Sequence, residues 1–174
     1  MLRRRSMNCI QLQIKDSTPN QAECRKTAYY PAVTLRMKQA MTSSNSQRDQ
    51  ARRLWAGTWN GVISTQSAEL PGYPFGSVVP FILGQDGQPL LLLSPLSQHT
   101  RNIEQDRRCS LTLTQAGTGD VQQLARLTAL GDVSRTEAAE DAVRYFRYFP
   151  QARTYWNDLG FVFYRFAVAR LHWN

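Results

Sequence analysis

The sequence predicts a mainly β fold, a six-stranded antiparallel barrel with short helices between its strands. Three observations predict it. Six β-rich stretches are joined largely by loops too short for the helical crossovers that parallel strands need. The loop Gln85-Asp86-Gly87-Gln88 is a strong hairpin signal, because Asp-Gly supplies the positive-φ positions of a tight turn. Six strands with so few helices cover their apolar faces most readily by closing into a barrel.

The elements follow in order. Gln47 to Ala56 forms a short helix, capped by Ser46 and ended by Gly57. Gly61 to Thr65 is a β-rich run, followed by a loop through Pro71-Gly72. In residues 73–83 the alternation places Phe75, Ser77, Val79, Phe81 and Leu83 on one face, and two prolines predict an edge or bulged strand. The return strand runs from Pro89 to Ser94. A short helix then opens at Ser97 and extends to Asp106. Cys109 to Thr114 alternates strictly, the cleanest strand pattern in the chain. After the Gly117-Thr118-Gly119-Asp120 loop, Gln122 to Gly131 is the fifth strand. Ser134 and Glu137 have capping-box spacing before a helix through Tyr145 and Phe149, stopped by Pro150. A second short helix covers Ala152 to Asp158, and Phe161 to Trp173 is a long last strand.

A chain of 174 residues holds one ordinary domain. Its net charge of +8 is unevenly placed. Residues 1–50 carry nine Lys and Arg against three Asp and Glu, whereas residues 51–174 carry twelve against ten. The near-neutral globular part lacks the electrostatic footprint of a nucleic-acid binder. All three lysines (Lys15, Lys26 and Lys38) precede residue 40, and a polar run, Thr42 to Gln47, follows. That break divides the chain into residues 1–41, a disordered basic arm or an over-extended start ahead of Met41 and the polar run, and a domain over 42–174. Met1-Leu2-Arg3-Arg4-Arg5 is not followed by the apolar core of a targeting peptide. The longest apolar run, Leu90 to Leu93, is far short of the roughly 20 residues of a membrane span. Cys9, Cys24 and Cys109 lack metal-like spacing, and Cys109 fits a buried strand position. These features predict a reduced, cytoplasmic protein that binds neither membrane nor nucleic acid.

Chemistry concentrates where the third strand runs into its helix, Leu92-Leu93-Ser94-Pro95-Leu96-Ser97-Gln98-His99-Thr100-Arg101-Asn102. Free N–H groups at a helix start attract an anion, helped by the helix dipole. Ser94, Ser97 and Thr100 add neutral donors, and Arg101 adds a forked charge suited to phosphate. A capped surface helix with a solvated arginine would show the same spacing. No Gly-x-Gly-x-x-Gly follows a strand and no P-loop is present, which sets aside those nucleotide sites.

Tyr73 to Phe81, the hairpin, Leu90 to Asn102 and Arg107 to Leu113 together resemble the core of the pyridoxamine-phosphate-oxidase-like split barrels. The His99-Thr100-Arg101-Asn102 signature is especially similar to the haem-utilisation branch, and Ala125 to Gly131, Phe149-Pro150, Tyr155 and Tyr164 to Trp173 fit the same pattern. The resemblance implies a six-stranded split β-barrel of the FMN-binding type, working as a homodimer with its cofactor at the interface. It implies an FMN-dependent oxidoreductase acting on a small-molecule substrate or electron acceptor. Ser77, Val78, Val79, Pro80 and Phe81 would lie along the flavin ring and ribityl chain, and Ser94 near the ribityl phosphate. His99, Thr100, Arg101 and Asn102 would surround the phosphate, with Arg126 and Thr128 supplied by the partner subunit. Gln98-His99 stands where classical pyridoxamine phosphate oxidases carry Arg-Lys, which leaves Arg101 as the principal charge. The alternative implied by the same branch is haem binding or haem degradation, with His172 as the iron ligand.

Overall fold

The computed structural model describes residues 10–12 and 46–174. The expectations for residues 1–41, including those for Cys9 and Cys24, lie outside the described residues apart from 10–12. Those three form β1 (Ile10–Leu12), which pairs with the end of the last strand. Helix α1 spans 46–57. The barrel strands are β2 (Asn60–Gln66), β3 (Pro74–Leu83), β4 (Pro89–Leu93), β5 (Arg108–Thr114), β6 (Arg126–Arg135) and β7 (Val162–Trp173). Helix α2 (Gln98–Gln105) follows β4, while α3 (Ala139–Tyr148) and α4 (Ala152–Leu159) lie between β6 and β7.

All pairings are antiparallel, and the order β7-β4-β3-β2-β5-β6 closes because β6 also pairs with β7. The result is the six-stranded closed barrel expected. Alternation explains the interior: Ile63, Val79, Phe81, Leu91, Leu111, Leu113, Leu127 and Phe166 are almost fully buried in one cluster. Helix α1 adds Ala51, Leu54 and Trp55 to that cluster. The Trp55 indole donates to the Gly87 carbonyl at 3.1 Å. Strand β4 is buried along its whole length because it is covered on both sides. Leu91 and Leu93 face the interior, while Leu90 and Leu92 pack under Tyr145, Phe146, Ala152 and Phe163 of α3, α4 and β7.

Three details differ from the sequence reading. Strand β6 begins at Arg126, not Gln122, and continues through Ser134, which pairs with Arg165. Ser134 and Glu137 therefore do not form a capping box. Helix α3 starts after Ala138, and Thr136 Oγ1 donates to Asp141 at 3.0 Å. The prolines of β3 mark a different kind of edge from the one expected. That strand pairs with β2 from Pro74 to Pro80 and with β4 only from Phe81 onward. The Phe81 amide points to Trp59 on the β2 side, so the missing N–H of Pro80 faces the opposite side, which β4 has not yet reached.

Candidate functional site

The segment between β4 and α2 folds on its own hydroxyls. The Ser97 amide donates to the Ser94 carbonyl at 3.2 Å, and the Leu96 amide donates to Ser94 Oγ at 3.2 Å. Ser97 occupies the N-cap position, but its side chain makes no capping bond. Its Oγ instead lies 2.8 Å from each of three groups: the Ser94 carbonyl oxygen, His99 Nε2 and Thr100 Oγ1. Ser97 has one proton, and a carbonyl oxygen can only accept, so that proton goes to Ser94. The other two contacts then require Thr100 Oγ1 and His99 Nε2 to donate to Ser97.

This assignment fixes the imidazole tautomer. With Nε2 protonated and burial lowering the pKa of His99 from its ordinary value, Nδ1 is a bare acceptor. Ser77 Oγ, 3.0 Å away on β3, donates to it. His99 is thus a neutral link between β3 and the first turn of α2.

The other members of the signature divide between inside and outside. Thr100 and Asn102 are buried, at 2% and 0% exposure. Asn102 Nδ2 donates to Thr65 Oγ1 at 2.8 Å, and its Oδ1 accepts from the Ala68 amide and Gln98 Nε2, each at 2.9 Å. Both side chains are committed to the fold rather than turned to a ligand. Arg101 is exposed and carries the charge of this helix start. It donates to the Leu96 carbonyl at 2.8 Å and to Gln98 Oε1, and lies 3.5 Å from the Glu69 carboxylate.

Beside the helix start lies a mainly apolar cleft of about 360 Å³. It brings together five of the sequence-predicted site residues, Val78, Val79, Pro80, Ser94 and His99. Phe149, Tyr155 and Phe161 form part of its remaining wall. Tyr145 and Phe146 pack in the core beneath α3, and Tyr145 also borders the cleft. The wall contributed by Phe149 and Tyr155 was missed, because helical spacing alone does not show which ring borders a gap. Phe81 is not part of the cleft: it is fully buried inside the barrel.

Arg126 and Thr128 lie on β6, separated from β3 by β2 and β5 in the sheet. Register places Thr128 in a row with outward-facing neighbours. Val78 pairs with Val62, Val62 with Thr112, Thr112 with Thr128, and Thr128 with His172. The adjacent row runs Gly76, Ser64, Ser110, Leu130, Arg170. Val78 is 71% exposed, and Val62 and Leu130 are each 40% exposed. This apolar and hydroxyl-bearing sheet face meets the cleft at Val78 and carries His172 and Arg170 at its far side. Val62 and Thr112 were not singled out in the sequence, since their place beside His172 follows only from long-range register.

Comparison with known proteins adds three kinds of likeness. The family described as "CREG, beta-barrel" matches residues 42–173. Over 113 residues the chain is 34% identical to "Non-canonical heme oxygenase HOZ, chloroplastic" of Arabidopsis thaliana, covering 64% of this chain and 35% of that protein. The chain therefore spans about a third of the length of that curated relative. Among solved structures, a heme-binding protein from Mycobacterium smegmatis superposes with a TM-score of 0.64 at 28% identity, covering 74% of this chain and 53% of that one. HutZ, the heme storage protein of Vibrio cholerae, superposes with a TM-score of 0.60 at 19% identity, covering 69% and 88% respectively, and shares the fold.

Proposed function

Because the chain belongs to the CREG beta-barrel family, we propose that it is a haem-handling protein, one that binds or degrades haem where two copies meet through the outward sheet face. The observation that carries this reading is the placement of His172. It lies on the same outward face as Val62, Val78, Thr112 and Thr128, with Arg170 two residues away on that face. These residues fit the group. A neutral imidazole can ligate haem iron, apolar side chains suit a flat macrocycle, and arginine pairs with carboxylates such as the propionates. The haem-related names of HOZ and the Mycobacterium protein support the same chemistry.

Adding haemin to the purified protein is expected to give a sharp Soret band. His172→Ala should abolish it, and Arg170→Ala should weaken binding by roughly tenfold, the scale of one charge-assisted hydrogen bond. A titration in which His172→Ala binds as wild type does would overturn the assignment.

A second reading is favoured by the cleft, which gathers five of the residues expected around a flavin and has Arg101 at the neighbouring helix start. In that reading the chain is an FMN-binding oxidoreductase, with the flavin supplying the redox chemistry. The fit is narrower on the phosphate side. Thr100 and Asn102 are buried and His99 is neutral, so Arg101 provides the charge. FMN is expected to bind with loss of its free fluorescence, and Arg101→Ala to weaken that binding at least tenfold. Equal FMN affinity in the variant and wild type would remove Arg101 from the site.

A further inference from the structure

Glu69 lies in the loop between β2 and β3, with its carboxylate 3.5 Å from the Arg101 guanidinium. The loop is held close to α2 by the Ala68 amide, which donates to Asn102 Oδ1 at 2.9 Å. Its own turn is set by the Ser67 amide donating to the Tyr73 carbonyl at 2.9 Å and by the Leu70 amide donating to Ser67 Oγ at 3.0 Å. The remaining partners of Arg101, the Leu96 carbonyl and Gln98 Oε1, are neutral acceptors that orient the guanidinium without cancelling its charge. Among the described residues Glu69 is therefore the anion that Arg101 faces.

We propose that Glu69 is a resident counter-anion, which an incoming phosphate monoester must displace from Arg101, and that it sets which anions the site accepts. This inference rests on the reading of Arg101 as the phosphate contact of a flavin nucleotide. Both side chains of the pair are more than half exposed, at 51% for Arg101 and 69% for Glu69, so the contact is weak and readily exchanged. A phosphate monoester brings close to two negative charges and several acceptor oxygens to the same fork, and it outcompetes one solvated carboxylate. A ligand with a single carboxylate offers nothing that Glu69 does not already supply. The site thereby discriminates in favour of phosphate and keeps Arg101 from capturing ordinary carboxylates.

The test compares FMN and riboflavin binding by fluorescence in wild type, Glu69→Gln and Arg101→Ala, at low and at high salt. Glu69→Gln should tighten FMN about two- to fivefold at low salt, with a smaller gain at high salt, because screening weakens exposed charge interactions. Riboflavin, which lacks the phosphate, should bind the two proteins equally. Acetate should compete with FMN in Glu69→Gln at lower concentration than in wild type. If Arg101→Ala loses FMN while Glu69→Gln matches wild type, the phosphate reading stands and the counter-anion role falls. If riboflavin tightens as much as FMN, the effect is not anion competition and the role also falls. If neither wild type nor Glu69→Gln binds FMN, the phosphate reading and this inference fall together.

Discussion

Both ring nitrogens of His99 face serine hydroxyls, and in the neutral ring Nε2 donates to Ser97 while Nδ1 accepts from Ser77. Protonating Nδ1 would turn Ser77 from donor to acceptor and place charge on a ring whose pKa is lowered by burial. The folded state therefore binds this proton less readily than the unfolded chain, whose histidine titrates near 6.5. Since the folded pKa is depressed, the stabilisation is fully present above 6.5 and is lost as pH falls below it toward the folded value. Thermal melts should show a falling midpoint through that window, and His99→Gln should flatten the fall. A variant that keeps the wild-type slope would assign the pH dependence to other groups. Cys109 shows the same desolvation on a thiol: burial pushes its pKa up to about 12, so it is a packing residue rather than a nucleophile.

Among the elements, the junction of β6 and β7 is the most tightly determined. The ladder shifts register between Leu130 and Gly131, and a Cβ at Gly131 would lie 2.1 Å from the Ala167 carbonyl oxygen and 2.9 Å from the Phe166 ring. The bulge requires glycine because the neighbouring backbone occupies the side-chain position. Gly131→Ala should cost about 2–3 kcal/mol and lower the melting midpoint by roughly 5–10 °C; an unchanged midpoint would mean that the bulge can relax. Gly131 is the local mark of a bulge in the run Leu127 to Val133, but the partner and size of the shift are set by pairing with residues some 40 positions later. The same limit explains the misread capping box. Ser134 and Glu137 have the right spacing, but pairing of Ser134 with Arg165 extends the strand and moves the helix start beyond it. Local chemistry was sufficient where it governed locally, as at the Asp86-Gly87 turn, where Gly87 adopts φ +76°. The helix start at Ser97 was legible for the same reason. The inward commitment of Thr100 and Asn102 was not, because it depends on α2 lying against β2 and the loop after it.

At the scale of the whole molecule, the barrel is covered unevenly. Helices α3 and α4 pack over the outside of β4 and its neighbours, while no helix among the described residues covers the outward face that continues from β2 through β5 to β6. From β3 across to β5 the outward residues Gly76, Val78, Pro80, Asn60, Val62, Ser64, Ser110, Thr112 and Thr114 carry no charge, and the charged Arg108 at the start of β5 is paired with Asp106. Charge depletion around exposed valines is the composition expected at the centre of a protein–protein contact. It is also the face that the proposed pairing of two copies would use. A charge placed there should therefore act on association and leave the fold nearly untouched. Val78 is 71% exposed, so Val78→Asp has little cost in a single copy, within about 0.5 kcal/mol for a surface substitution. Two such variants facing each other across a desolvated contact would each bury an unpaired carboxylate, which costs several kcal/mol. Light scattering should give a dimer mass for wild type and a monomer mass for Val78→Asp, with melting midpoints that remain close at concentrations where both are monomeric. A wild-type monomer, or a dimer that survives the substitution, would place the contact elsewhere and leave His172 without the second wall a haem between copies needs.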